Sequence, residues 1–334
     1  MQRVGLIGSG VMATTHAGSY AEIADAEIVA VASTGDNRDE FASEHAPGAE
    51  TYDDAETMLA EADITMVDVC TPTPTHHGFA TAAAERDLAV FCEKPMTRTM
   101  EQADDLVETI AETGVPASVG HVLRFFPSYV TAKERIDAGE LGELGTMRAE
   151  RLSSPPKYGA DNWFSDFEQS GGVVLDMAIH DLDYLRWVVG EVDRVFARSE
   201  EWDADGHRYQ HAGVDLRFED GTAGYVEASW GYPDEMDFTT AFEFAGDDGS
   251  LEYDTRDERP VDFTGDTGGE MDPAAGAFRV SPYTRELRHF VECVETGAEP
   301  AVTVEDGREA VRIALAANES AERGEPVQVA EVGR

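Results

Sequence analysis

Four short stretches carry residue types whose spacing could do chemistry. The first, Gly8-Ser9-Gly10-Val11-Met12-Ala13, follows the apolar run Arg3–Ile7 and opens a helical stretch from Val11 to Ile23. Glycines there allow a tight turn and bring backbone amides, at the positive end of a helix dipole, close to a pyrophosphate. A G-x-G-x-x-A at the head of a strand–helix–strand unit predicts dinucleotide binding, with Gly8, Gly10, Val11 and Met12 as contacts. The second, Val31-Ala32-Ser33-Thr34-Gly35-Asp36-Asn37-Arg38, ends the next strand. An NAD site expects a carboxylate there for the ribose hydroxyls. Here Ser33 takes that place, beside Thr34, and Arg38 could pair with a 2′-phosphate, so the stretch leans to NADP. Asp36 in a shifted loop would favour NAD, and Arg38 also fits a solvated first turn.

The third, Cys70-Thr71-Pro72-Thr73-Pro74-Thr75-His76, forms a rigid turn at the strand edge where doubly wound sheets bind ligands. Thr71, Thr73 and His76 are candidate cofactor contacts; a plain strand-to-helix turn capped by Thr75 is compatible with that. The fourth is Glu93-Lys94-Pro95. The chain has 25 basic residues, of which only Lys94, Lys133 and Lys157 are lysines and 22 are arginines. A lysine kept at a strand end suggests a chemical requirement, because lysine can exchange a proton and arginine cannot. Glu93 would position it, although neighbouring Glu and Lys often form only a surface ion pair.

These stretches must be held by a framework. Short apolar runs at Arg3–Ile7, Glu27–Ala32, Thr65–Cys70, Leu88–Cys92 and Val115–Val119 alternate with helical segments at Asp53–Ala62, Thr75–Glu85 and Met100–Glu112. That alternation predicts right-handed βαβ units and a parallel sheet, with Asp53, Thr75 and Thr99 as N-caps. After about residue 120 come helices over Ser128–Ala138 and Gly172–Val189. Strands then follow at Arg194–Ser199, Gly213–Phe218, Gly224–Trp230, Thr239–Phe244 and Ser250–Tyr253. Turn signals without intervening helices predict an open, mostly antiparallel sheet. Thr255–Gly276 reads as a long exposed loop, and helices over Pro282–Glu295 and Val304–Arg323 follow. The expected fold class is α/β: a Rossmann doubly wound domain over 1–121 and an α+β domain over 122–334.

The chain has 334 residues with 42% hydrophobic residues, enough for two cores, and a net charge of −43. Acids spread along the whole sequence repel phosphate backbones and anionic membranes, so nucleic-acid and lipid partners are not expected. Surface carboxylates with scarce lysine resemble proteins of extreme halophiles. Cys70, Cys92 and Cys293 include no C-x-x-C, and no zinc-ligand spacing occurs, so no metal is expected. No apolar run reaches membrane-spanning length, and the first residues lack a signal-peptide pattern, so an intracellular, cytoplasmic protein is expected.

In order along the chain, these motifs resemble those of the Gfo/Idh/MocA oxidoreductases. The likeness continues through Arg124-Phe125-Phe126-Pro127 and Gly139-Glu140-Leu141-Gly142 to the run from Gly171-Gly172-Val173-Val174 through Asp176 and His180 to Asp183. On a regular helix Asp176, His180 and Asp183 would share a stripe, opposite Leu175, Ala178, Leu182, Leu185 and Val189. The resemblance implies that Lys94, Asp176 and His180 form the catalytic group. It implies Arg124, Asn162, Trp163 and Tyr283 as substrate-pocket candidates, although Phe164 stands where the family often has arginine after the tryptophan. The implied reaction is hydride transfer between a sugar or polyol hydroxyl carbon and NADP or NAD, with an aldose 1-dehydrogenase favoured over an inositol dehydrogenase. A glycosidase or a non-catalytic dinucleotide sensor on the same scaffold are the other classes. A homodimer or homotetramer is also implied.

Overall fold

The structure, a computed structural model, describes residues 1–156, 163–204, 207–257, 261–265 and 280–333. It divides into two compact units. The first holds Met1–Phe125 and a later segment ending at Arg308; the second begins at Phe126 and resumes at Glu309.

The first unit contains β1 (Gln2–Ile7), α1 (Val11–Tyr20), β2 (Ala26–Ala32), α2 (Arg38–His45), β3 (Glu50–Tyr52), α3 (Ala55–Glu61) and β4 (Met66–Val69). It continues with α4 (His76–Ala84), β5 (Ala89–Cys92), α5 (Met100–Thr113) and β6 (Ala117–Val119). The strands pair in the order β3-β2-β1-β4-β5-β6, every pair parallel. Strand order reverses between β1 and β4, and ligands of such sheets bind outside the carboxyl ends of the strands at that point. β4 and β5 are buried along their whole length, as parallel strands covered on both faces must be. β4 nevertheless contains Asp68, which is fully buried.

Thr75 and Thr99 stand at the expected N-cap positions, and the third cap moves by one residue. Asp54, one residue later than expected, accepts from the Thr57 amide at 2.8 Å and caps α3. Its neighbour Asp53 is drawn away by an ion pair with Arg38. Thr99 caps α5 as expected. Thr75 makes no cap bond; its hydroxyl donates to Thr71 Oγ1 at 2.7 Å and lies 2.8 Å from the Pro72 carbonyl, locking the preceding turn.

The division of the chain is not the single cut expected after residue 121. Helix α9 (Pro282–Thr296; the helices α6, α7 and α8 of the second unit precede it in chain order and are given below) returns to the first unit. Its apolar positions Leu287, Phe290 and Val291 enter the core formed by Leu6, Tyr20, Met66 and Phe91. The spacing i, i+3, i+4 gives a buried stripe, which an amphipathic helix must cover wherever a sheet flank offers it. Helix α10 (Val304–Arg323) contains the point of division.

The second unit contains α6 (Pro127–Asp137), β7 (Leu144–Leu152), the single turn α7 (Phe167–Ser170), α8 (Ile179–Val189), β8 (Val192–Ala204), β9 (His207–Phe218) and β10 (Ala223–Ser229). It also holds β11 (Thr239–Gly246), β12 (Gly249–Asp254), β13 (Val261–Gly265) and β14 (Val327–Gln328). Its sheet runs β13-β12-β11-β7-β10-β9-β8-β14, with β7 and β10 parallel and the other pairs antiparallel. This is the open, mostly antiparallel sheet expected. Three strands were not: β7 at its centre, the terminal β14, and β13, which lies within the stretch read as a loop. Of that stretch, 258–260 and 266–276 lie outside the described residues. An aromatic cluster of Tyr129, Tyr184, Phe242, Phe244 and Tyr253 packs against the sheet with ring centroids 4.7–5.9 Å apart. Within this core Arg151 of β7 donates two hydrogen bonds to Asp181 of α8, at 2.8 and 3.0 Å.

Candidate dinucleotide and catalytic site

The glycine loop between β1 and α1 is built for close approach. Gly8 has φ +123°, and a Cβ there would stand 2.3 Å from the Cys70 carbonyl oxygen. Gly10 faces open space: a Cβ there would have nothing within 4 Å. It is the N-cap residue of α1 and makes no side-chain cap bond, and the first turn of α1 carries no acid. Amides left uncapped at a positive helix end, without a competing carboxylate, fit a phosphate. Val11 is exposed and Met12 half-buried beside this opening. Gly8→Ala should therefore destabilise the unit by about 1–3 kcal/mol and weaken dinucleotide binding, because the loop must move to relieve the clash. Thermal melting and a dinucleotide titration check both effects.

The end of β2 folds back on this loop. Ser33 Oγ lies 2.8 Å from Ser9 Oγ, and the Asn37 side chain accepts from the Ser9 hydroxyl at 2.9 Å and donates to the Ser9 carbonyl at 3.1 Å. Arg38 donates to the Ser33 carbonyl at 3.2 Å and pairs with Asp39 and Asp53. Hydrogen bonding to Asp39, chiefly, holds its guanidinium pKa above the ordinary arginine range. Thr34 and Asp36 are exposed.

At the β4 and β5 ends the expected contacts separate into two groups. Thr71 and Lys94 are half-buried at the edge, whereas Thr73, His76 and Glu93 are buried. His76 is a brace. Its Nδ1 lies 2.8 Å from the Pro95 carbonyl and its Nε2 2.6 Å from the Thr71 carbonyl, so both ring nitrogens join the two turns. Burial holds its pKa below the usual histidine range. Glu93 turns inward: Oε2 accepts from the Lys94 amide at 3.1 Å, and Oε1 lies 3.1 Å from His16 Nε2. His16 and Asp68 escaped notice in the sequence, though an acid inside a fully apolar strand was a visible signal.

Arg124, expected at the substrate, is buried and donates to the Ala301 carbonyl at 3.1 Å and to Asp306 at 3.0 Å, clipping the returning segment to its own unit. Tyr283 is half-buried on α9, with its ring 6.3 Å from that of His16.

In the second unit, Gly171 and Gly172 both adopt positive φ, and a Cβ on Gly172 would meet the Gln210 side chain at 2.3 Å. Gln210 accepts from the Val173 amide at 2.5 Å, fixing the start of the helix. The next five residues, Val174–Ala178, form a π-helical turn before α8. The regular stripe expected here is thus interrupted. Asp176, within the irregular turn, and His180, just after it, are half-buried, whereas Asp183 is fully buried. π-turns within helices often mark functional positions. Trp163 is half-buried, packed against Phe164 with centroids 4.0 Å apart and ring planes tilted by 30°, and Asn162 lies outside the described residues.

A doubly wound parallel sheet with an open glycine loop at its switch point defines a dinucleotide-binding oxidoreductase scaffold. Residues 2–121 match the family described as "Oxidoreductase family, NAD-binding Rossmann fold", and residues 129–252 match the "GFO/IDH/MocA C-terminal domain". The chain is similar to scyllo-inositol 2-dehydrogenase (NAD(+)) of Bacillus subtilis, 31% identical over 98% of this chain and 96% of that one. It is also similar to D-xylose 1-dehydrogenase (NADP(+)) 2 of Haloferax volcanii, 28% identical over 98% of both. A solved structure of a probable dehydrogenase from Thermotoga maritima superposes with a TM-score of 0.83, at 28% identity, covering 99% of each chain. The chain belongs to the Gfo/Idh/MocA family of oxidoreductases and is a nicotinamide-dependent dehydrogenase of CH–OH groups. Among the described residues no helix is long and apolar enough to cross a membrane.

Proposed function

We propose that this enzyme oxidises a neutral sugar at a hydroxyl-bearing carbon with NADP, as an aldose 1-dehydrogenase. The observation that carries the NADP reading is the end of β2. Ser33 stands where an NAD site places its acid, and Arg38 is held beside it at the Ser33 carbonyl. A 2′-phosphate would take Arg38 over from Asp53 and Asp39 as the stronger, bidentate partner. The NADP-linked xylose dehydrogenase among the relatives is in keeping with this choice. The second reading, an inositol 2-dehydrogenase using NAD, is favoured by the 31% identity to the scyllo-inositol enzyme. Neutral substrates suit a protein of net charge −43.

A bound nicotinamide would supply the hydride-accepting ring. Gly8, Gly10 and the first amides of α1 would hold the pyrophosphate. Lys94 and His180 would bind the substrate hydroxyl, and His180 would take its proton on a ring nitrogen, a role its near-neutral ordinary pKa suits. Asp176 would orient and electrostatically support the imidazole. Trp163, Asn162 and Tyr283 remain pocket candidates of this proposal, as does a homo-oligomeric assembly.

The test of the cofactor reading is the ratio of kcat/KM for NADP to that for NAD. Arg38→Ala should lower that ratio by about 10- to 100-fold, the loss of one charged hydrogen-bonding partner, while leaving the NAD value nearly unchanged. An unchanged ratio would move the ribose contact to Asp36 and favour the inositol reading.

A further inference from the structure

Behind the Lys94 turn lies a buried group of charges that the reaction above does not use. His16 of α1 is fully buried, and so is Asp68 of β4; Glu93 is 5% exposed. Asp68 Oδ2 lies 2.8 Å from His16 Nδ1, and Glu93 Oε1 lies 3.1 Å from His16 Nε2. Carboxylates only accept, so a ring hydrogen-bonded to one carboxylate at Nδ1 and at ion-pair distance from a second at Nε2 is matched as an imidazolium. Cys70 Sγ stands 3.2 Å from His16 Nδ1 and 3.3 Å from Asp68 Oδ1, and the edge of Phe91 closes the ring in, 5.6 Å between centroids. The titratable neighbours from the packed elements are Asp68 and Cys70 of the β4 end, Glu93 of the β5 end, Tyr20 of α1, and Tyr283 and Glu286 of α9. Among these, the carboxylate of Asp68 and the thiol of Cys70 raise the His16 pKa well above its usual value against the effect of burial, and His16 holds Glu93 below the carboxylate range.

We propose that His16, held by Asp68, is a positioning residue for Lys94: its imidazolium fixes Glu93, which fixes the Lys94 backbone. Glu93 has little freedom to settle elsewhere. Gly120 packs so closely that a Cβ there would lie 3.1 Å from Oε1, and Oε2 already accepts from the Lys94 amide. The chain of contacts thus runs from the helix of the glycine loop, through two strand ends, to the backbone carrying the lysine. The side-chain atoms of His16, Asp68 and Cys70 sit at hydrogen-bonding separations, and the second nitrogen of His16 faces Glu93. The inference rests on Lys94 serving the reaction.

The experiment compares His16→Leu, Asp68→Asn and Glu93→Gln with Lys94→Ala in one assay series. Misplacing a catalytic group by a fraction of an ångström to 1 Å costs up to about 100-fold, so each of the first three should lower kcat by about 10- to 100-fold. Dinucleotide affinity, titrated without substrate, should stay unchanged, because the glycine-loop amides are intact. Glu93→Gln should cost little more once His16 is leucine, since both act through one contact. If His16→Leu does not fold, Asp68→Asn, which keeps the shape of the side chain, carries the comparison. An independent readout is the ¹⁵N spectrum of the ligand-free protein, where both ring nitrogens of His16 should be protonated at pH 8. A neutral His16 ring, or unchanged kcat in the folded variants while Lys94→Ala is inactive, would overturn the proposal. Full activity of Lys94→Ala would instead overturn the reading on which it rests.

Discussion

Lys94→Ala is expected to lower kcat by about 100- to 10,000-fold, the range of a lost proton-handling or hydroxyl-binding group, with dinucleotide binding largely intact. The separation follows from where the side chain sits. Lys94 is half-buried at the end of β5, whereas the pyrophosphate contacts belong to the loop after β1. Stopped-flow hydride transfer and a fluorescence titration of the dinucleotide measure the two effects separately. Loss of binding along with turnover would reassign Lys94 to holding the cofactor site together.

Arg151→Met should be the most damaging change away from the site, destabilising the second unit by about 3–5 kcal/mol. The arginine and Asp181 are both buried and bonded through two oxygens. Burial holds the Asp181 carboxyl above its usual range even with Arg151 against it, so removing the cation leaves an acid with no charge partner in a dry core. Asp181 then protonates or drags water inward, and either costs stability. Replacing both, Arg151→Met with Asp181→Leu, should recover much of the loss, because apolar pairs of similar volume often match a buried ion pair. Chemical denaturation of the single and double variants checks this; equal loss in both would mean that shape rather than charge is decisive.

Much of the first unit could be read directly because its signals are local. Apolar runs of four to six residues alternate with helices, and the glycine loop sits in sequence where it sits in space. What escaped was set by distant partners. β7 carries Arg148, Glu150 and Arg151, which break the alternation of a half-buried strand, yet it lies at the centre of its sheet. Those charges are tolerated because Asp181 and Arg256 reach them from elsewhere in the chain. The return of α9 to the first unit was illegible for the same reason: its apolar stripe names no partner. The helix carrying Asp176 and His180 was found, but its regular 100° periodicity was assumed. The π-turn over Val174–Ala178 changes which side chains share a face with Asp176. Asp183 is buried because α8 is covered all round, every residue from Asp181 to Leu185 being buried. Asp68 is the converse case: a charge inside an otherwise apolar strand is a local signal of a buried partner, and it went unread.

The most direct measurement is the initial rate of nicotinamide reduction by the purified protein in multimolar KCl, with NADP and NAD in parallel against aldoses and inositols. High salt screens the self-repulsion of a chain of net charge −43, so the folded enzyme is the species assayed. Turnover of an aldose with NADP, lost in Lys94→Ala, is the predicted result. Tight dinucleotide binding with no reduction by any sugar or polyol would contradict it.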